Sequence, residues 1–123
     1  DVYKRQLQAF SESKLRLYEK HLTQEEARFM RAHYRDRMGE WPALMGRVRD
    51  AIDAGQAPTS PTGLDLARQW LELFCTYAGK DPATHAKFRH ALMTEPELTA
   101  GTWADDATLT FMRQAMGALA AAR

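Results

Sequence analysis

Residues 60–79 read SPTGLDLARQWLELFCTYAG, and this stretch decides the fold class. Ser60 is suited to accept a hydrogen bond from the first unpaired helical amides. Pro61 fits the first helical position, where its missing N–H would have no partner. Gly79 can close the segment in a left-handed conformation. Between these limits run two apolar stripes at helical spacing. Leu64, Ala67, Leu71, Phe74 and Ala78 form one, and Leu66, Trp70, Leu73 and Tyr77 the other. Together they are wider than the ~100° face of a surface helix, so this helix is expected to be central in a bundle.

The rest of the chain agrees with a helical reading. Valine and isoleucine number three (Val2, Val48, Ile52), against 20 Ala, 13 Leu, 12 Arg and 6 Met. Strands draw on β-branched residues and helices on Ala, Leu, Met and Arg, so the fold is all-α. Thr23 and Glu26 have the spacing of a capping box, opening a helix expected to run to about Met38 and stop at Gly39. Trp41, Leu44, Val48 and Ile52 then mark a helix starting near Pro42 and ending at Gly55. Asp81-Pro82 starts another, carrying His85, Phe88 and Leu92. Thr94 to Glu97 has a second capping-box pattern, opening a short turn. Residues 99–104 read as a loop, and Asp105 or Asp106 caps a last helix with Leu109, Met112, Ala115 and Leu119 in phase. The architecture is a compact bundle of five or six helices. Residues 1–22 form a charged N-terminal connecting helix with a sparse stripe (Leu7, Phe10, Leu15 or Leu17, Tyr18), and residues 23–123 form the domain proper.

Composition removes several functional classes. Of the 123 residues, 17 are Lys or Arg and 16 are Asp or Glu. Residues 1–58 hold 11 basic and 9 acidic side chains, and residues 59–123 hold 6 and 7, so neither half has the basic excess that phosphate-backbone binding needs. No direct nucleic-acid contact and no membrane insertion are expected. Cys75 is the single cysteine, which excludes an internal disulfide and any multi-cysteine zinc site. His21, His33, His85 and His90 include no i, i+4 pair, so no metal site and no cofactor are expected. Cys75 lies near a helix C-terminus, which disfavours a thiolate. Glu25-Glu26 and Asp105-Asp106 fall at helix starts, where capping and the helix dipole account for them. No phosphate loop or catalytic triad is visible, and the chain reads as a non-enzyme. The absence of a signal-peptide pattern points to the cytoplasm, and the start at Asp1 suggests a fragment or a processed form.

Trp41, Trp70, Phe74, Tyr77, Phe88, Trp103 and Phe111 all lie in the last three quarters of the chain. Most of them are expected to be core, yet three tryptophans in a small helical domain also suit enclosure of an aromatic ligand. Trp70, Tyr77, Trp103 and Phe111 are expected to stack on such a guest, with Phe74 and Phe88 beside them. His85, Tyr34 or Gln114 would hold its polar groups.

The order of WPAL at 41–44, DAIDAG at 50–55, APTSP at 57–61 and LARQW at 66–70 resembles the TipAS antibiotic-recognition domain. The similarity continues through GKDP at 79–82, TEP at 94–96 and FMRQAM at 111–116, and covers roughly residues 23–119. That domain occurs as the effector part of MerR-type transcriptional activators and in drug-binding proteins related to the albicidin-resistance protein. The resemblance implies a globin-like helical fold with a deep cleft for bulky hydrophobic antibiotics, polyaromatic or peptidic, albicidin-like or thiopeptide-like. It also implies a role in drug sequestration or transcription regulation. The cysteine that captures thiopeptides in some members would fall near Gly79 or Lys80, so covalent capture by Cys75 is not expected. The alternative is a helical interaction module that forms a homodimer through its N-terminal helix, without a small-molecule ligand.

Overall fold

The computed structural model describes residues 12–98 and 105–122. They contain six α-helices and no strand, in agreement with the all-α reading. Helix α1 is seen over residues 12–19. It is followed by α2 (Gln24–His33), a 3₁₀ turn (Met38–Glu40), α3 (Trp41–Asp53), α4 (Pro61–Ala78), α5 (Pro82–Thr94), a second 3₁₀ turn (Pro96–Leu98) and α6 (Asp106–Ala121). Leu7, Phe10 and Trp103 lie outside the described residues.

The chain divides into two units. The first joins residues 12–34 to 77–98, and thus holds α1, α2, the last two residues of α4, and α5. Leu15, Met30, Tyr34, Phe88, Ala91 and Leu98 are buried in it. Tyr18 of α1 meets Phe88 with ring centroids 5.0 Å apart, so Leu15 and Tyr18 both serve the core of their own unit. Arg31 of α2 pairs with both Glu12 and Glu19 of α1. In the second unit, residues 35–76 with 105–122, α3 packs on α6. Its core holds Leu44, Val48 and Ala51 from α3, Leu66, Ala67 and Leu73 from α4, and Phe111, Met112, Ala115 and Leu119 from α6. Both stripes of α4 are used: Leu66, Ala67, Leu73 and Ala78 are buried, while Leu64 and Trp70 pack against the core as half-buried residues.

Local signals set most boundaries. Thr23 and Glu26 form the reciprocal capping box at α2. Ser60 Oγ accepts from the Gly63 amide at 3.1 Å, and Asp81 accepts from the Ala83 amide at 2.9 Å. Helix α3 ends in a Schellman motif: Gly55 has φ +73°, its amide bonds to Ile52 O, and the Gln56 amide bonds to Ala51 O. Gly79, at φ +76°, closes α4.

Two boundaries differ from expectation. Helix α2 ends at His33 and not near Met38, and Gly39 lies inside a 3₁₀ turn with no positive φ. The reason is non-local. Arg37 grips Glu40 with two N–H groups and donates a third to Glu72 of α4 at 2.8 Å, which ties this segment into the second unit. Thr94 does not open the next turn. It is the last residue of α5, and its hydroxyl donates back to His90 O at 2.9 Å, leaving Glu95 as the C-cap.

Gly63 is required by a close approach. A Cβ there would lie 2.1 Å from Pro58 O and 2.9 Å from Ala57 O, both backbone atoms that cannot swing aside. Gly63→Ala is therefore expected to destabilise the fold by about 1–3 kcal/mol despite the better helix propensity of alanine. Gly46, inside α3 with nothing within 4 Å of its Cβ position, gives the opposite sign. Gly46→Ala should stabilise by about 0.5–1 kcal/mol. Urea denaturation of the two variants beside the wild type measures both.

Candidate functional site

The candidate ligand residues fall into separate groups. In the first unit, Phe88 is 1% exposed. Its ring meets Tyr18 at 5.0 Å and Tyr77 at 5.8 Å, and Tyr77 meets Tyr34 at 5.8 Å, the contacts of Tyr77 with Phe88 and with Tyr34 both being edge-on. Such pairs each add about 0.5–1.5 kcal/mol beyond area burial, so these rings pack on one another. Burial pushes the phenols of Tyr18 and Tyr77 well above the usual tyrosine range, with neighbouring tyrosines adding to the shift. They are neutral hydrogen-bonding groups at any physiological pH. His85 Nε2 lies 2.6 Å from Gly79 O. A carbonyl only accepts, so Nε2 carries the hydrogen and donates it just past the end of α4. His85 thereby gives a partner to the carbonyl of the glycine that ends α4.

Near His85 on α5, Glu26 forms a polar cluster that the sequence reading saw only as a cap. Its Oε2 accepts from the Thr84 hydroxyl at 2.5 Å, and its Oε1 from Lys87 Nζ at 2.8 Å and the Thr23 amide at 2.7 Å. One carboxylate thus caps α2 and ties it to α5.

Trp70, Phe74, Phe111 and Gln114 belong to the second unit. Trp70 stands edge-on to Trp41 at 5.0 Å, and both indoles are half-buried against the core. Phe74 and Cys75 are half-buried on α4. Phe111 and Gln114 open onto a surface concavity of about 430 Å³. Helix α6 forms one wall through Asp106, Ala107, Thr110, Phe111 and Gln114, and Ile52 and Pro58 form the other. At 3.6 residues per turn the α6 residues lie within about 140° of its circumference, a single face. Ile52 stands on α3, and Pro58 is held by the approach of its carbonyl to Gly63. Its volume falls in the small-molecule range, but it is shallow and wide open to solvent, and is not the deep cleft that the resemblance implies.

Asp105 positions this wall. Its carboxylate accepts from the Thr108 amide at 2.8 Å, capping α6, and also pairs with Arg49 of α3. Those bonds, the capping amide foremost, hold its carboxyl down at about 2. Sequence had offered Asp105 and Asp106 as equal caps; the bonds go to Asp105. Ile52 and Pro58 were not foreseen as site residues, because the pairing of α3 with α6 that brings them opposite Phe111 has no local signature.

Among the described residues, no group of His, Cys, Asp and Glu side chains is placed to hold a metal ion, and no helix is long and apolar enough to cross a membrane.

What the fold and the concavity define is a small all-helical domain with a ligand-sized hollow beside its last helix. The family model of the TipAS antibiotic-recognition domain matches residues 5–119, and the chain belongs to that family. The match begins earlier than the resemblance read from sequence and takes in the first helix. The chain is also 31% identical over 112 residues to an albicidin resistance protein of Klebsiella oxytoca. That alignment covers 90% of this chain and 50% of the relative, so the chain spans about half the length of the curated relative it matches.

The Glu26 cluster sets an acid dependence. Lys87 first, then the Thr23 amide and Thr84, depress its carboxyl from 4.5 to about 2. A depressed carboxyl stabilises the fold fully above its unfolded value, and that contribution is lost as pH falls through the folded one. Glu26→Gln is expected to cost about 1–3 kcal/mol at pH 7. The gap to wild type should close between pH 4.5 and about 2, as read by urea denaturation across that window.

Proposed function

We propose that this chain is a non-enzymatic binding domain that takes up a bulky, hydrophobic, multi-ring antibiotic in the concavity between α6 and the Ile52–Pro58 wall. The observation that carries the reading is the concavity itself, open to a guest and lined by Phe111 and Gln114, two of the residues expected to contact a ligand. Membership of an antibiotic-recognition family and similarity to an albicidin resistance protein support the ligand class. The chain would act in the cytoplasm, either by sequestering the drug or as the effector domain of a MerR-type regulator. Both roles use the same capture step.

Magnitudes favour a large ligand. Micromolar affinity corresponds to about 8 kcal/mol, and association itself costs at least about 4 kcal/mol. At roughly 25 cal/mol per Å², offsetting both by apolar burial takes about 500 Å². Neither a single ring nor the apolar lining of the concavity alone supplies that area, so the ligand has to be large and to cover surface beyond the hollow as well. Ile52, Pro58 and the small exposed part of Phe111 offer apolar surface, and Gln114 and Thr110 offer hydrogen bonds to amide groups.

Thr110 is exposed and lines the concavity, so a large side chain there fills the hollow without disturbing the core. Titrated with albicidin or a thiopeptide, the wild type should quench its tryptophan fluorescence with micromolar affinity. Thr110→Trp should weaken binding at least about tenfold, by isothermal calorimetry, while its urea midpoint stays within about 0.5 kcal/mol of wild type. Unchanged affinity in that variant would place the ligand elsewhere.

A further inference from the structure

The α6 wall of the concavity is chemically divided along its length. Asp106, Thr110 and Gln114 follow one another at i, i+4 and i+8, and so present polar heads about 6 Å apart, spanning about 12 Å. Ala107 and Phe111 lie further round the same face, and Ile52 and Pro58 complete an apolar strip beside the polar one. The polar strip is acidic at one end and neutral at the other.

Asp106 is the informative member. Asp105 takes the capping amide and Arg49, so neither of those partners engages Asp106. Among the described residues the side chains of Asp106, Thr110 and Gln114 make no hydrogen bond or ion pair with the protein. Among the residues that line the concavity Asp106 alone is charged, and Arg49, which reaches the α6 start, is paired with Asp105. The concavity therefore meets its guest with a net negative charge and acceptor oxygens at the α6 N-terminal end, next to an apolar floor.

Resting on the binding function proposed above, we infer that Asp106 is a specificity residue that selects ring systems carrying a cation, or an N–H-rich edge, over ring systems carrying a carboxylate. The ligand class it fits is an elongated amphipathic molecule. Its flat apolar face covers Phe111, Ile52 and Pro58. Its donor edge runs along Thr110 and Gln114, and its positive or donor-rich end lies on Asp106. An anionic group at that end meets like charge and loses hydration with nothing in return.

Two probes of matched shape test this. 9-Aminoacridine is a cation at neutral pH, and acridine-9-carboxylate is an anion on the same three-ring frame. Equilibrium dialysis at low salt, with wild type, Asp106→Asn and Thr110→Trp, gives their affinities. An exposed ion pair is worth up to about fivefold, and more where a ring keeps water off it, so wild type should prefer the cation by about five- to tenfold. Asp106→Asn should bring the two probes within about twofold, and raising salt to 0.5 M should shrink the wild-type preference. Thr110→Trp should weaken both probes. If Thr110→Trp weakens both but Asp106→Asn leaves the preference intact, the role of Asp106 is overturned and the site stands. If Thr110→Trp changes neither, or neither probe binds wild type at millimolar concentration, the site itself is overturned.

Discussion

A single carboxylate joins the start of α6 to α3. Asp105 terminates the N-terminal amides of α6 through Thr108 and, with the same side chain, pairs with Arg49 of α3. Two helices distant in sequence are thereby set in register at the point where the concavity begins. Below that point Ala51 and Ala115, two small fully packed residues, sit in the core shared by α3 and α6, with Val48, Met112 and Leu119 beside them. The wall carrying Phe111 and Gln114 faces Ile52 and Pro58 because these contacts fix α6. The polar pair gives direction and register, and the apolar contacts supply most of the free energy.

Much of the helical plan was legible because it is written in local chemistry. Thr23, Ser60, Asp81 and Asp105 each hold an amide that neighbours in sequence leave unpaired, and Gly55 and Gly79 each adopt a positive φ. Such signals need no knowledge of the rest of the chain. Where tertiary bonds compete, the local signal loses. Gly39 is an available stop, yet Arg37 reaches Glu72 thirty-five residues away and sets the turn instead. Thr94 has the spacing of a cap, yet its hydroxyl has a nearer acceptor in His90 O.

The candidate site was legible only in part, and for the same reason. Phe111 and Gln114 are expected as ligand contacts for their chemistry, and helical spacing could not say which helix lies opposite them. Asp106 read as a dipole partner at a helix start, because its position on the wall depends on packing. Ring chemistry alone did not separate packing from binding either. Tyr34, Tyr77 and Phe88 join Tyr18 in a connected set of ring contacts in the first unit, and Phe111 is itself a core residue of the second that reaches the concavity only with the little surface it exposes. His85 shows the same ambiguity, since a histidine on an apolar stripe suits a pocket or a carbonyl, and here it donates to Gly79 O.

The contact between Pro58 and Gly63 bears on how fast and how tightly a guest is taken up. A proline whose carbonyl is wedged against a helix backbone has little freedom left before anything arrives. The rim it forms is rigid in advance, so capture loses little chain entropy on that side, and association need not wait for a loop to close. Under the binding function proposed above, discrimination would then come from shape and polarity at first encounter.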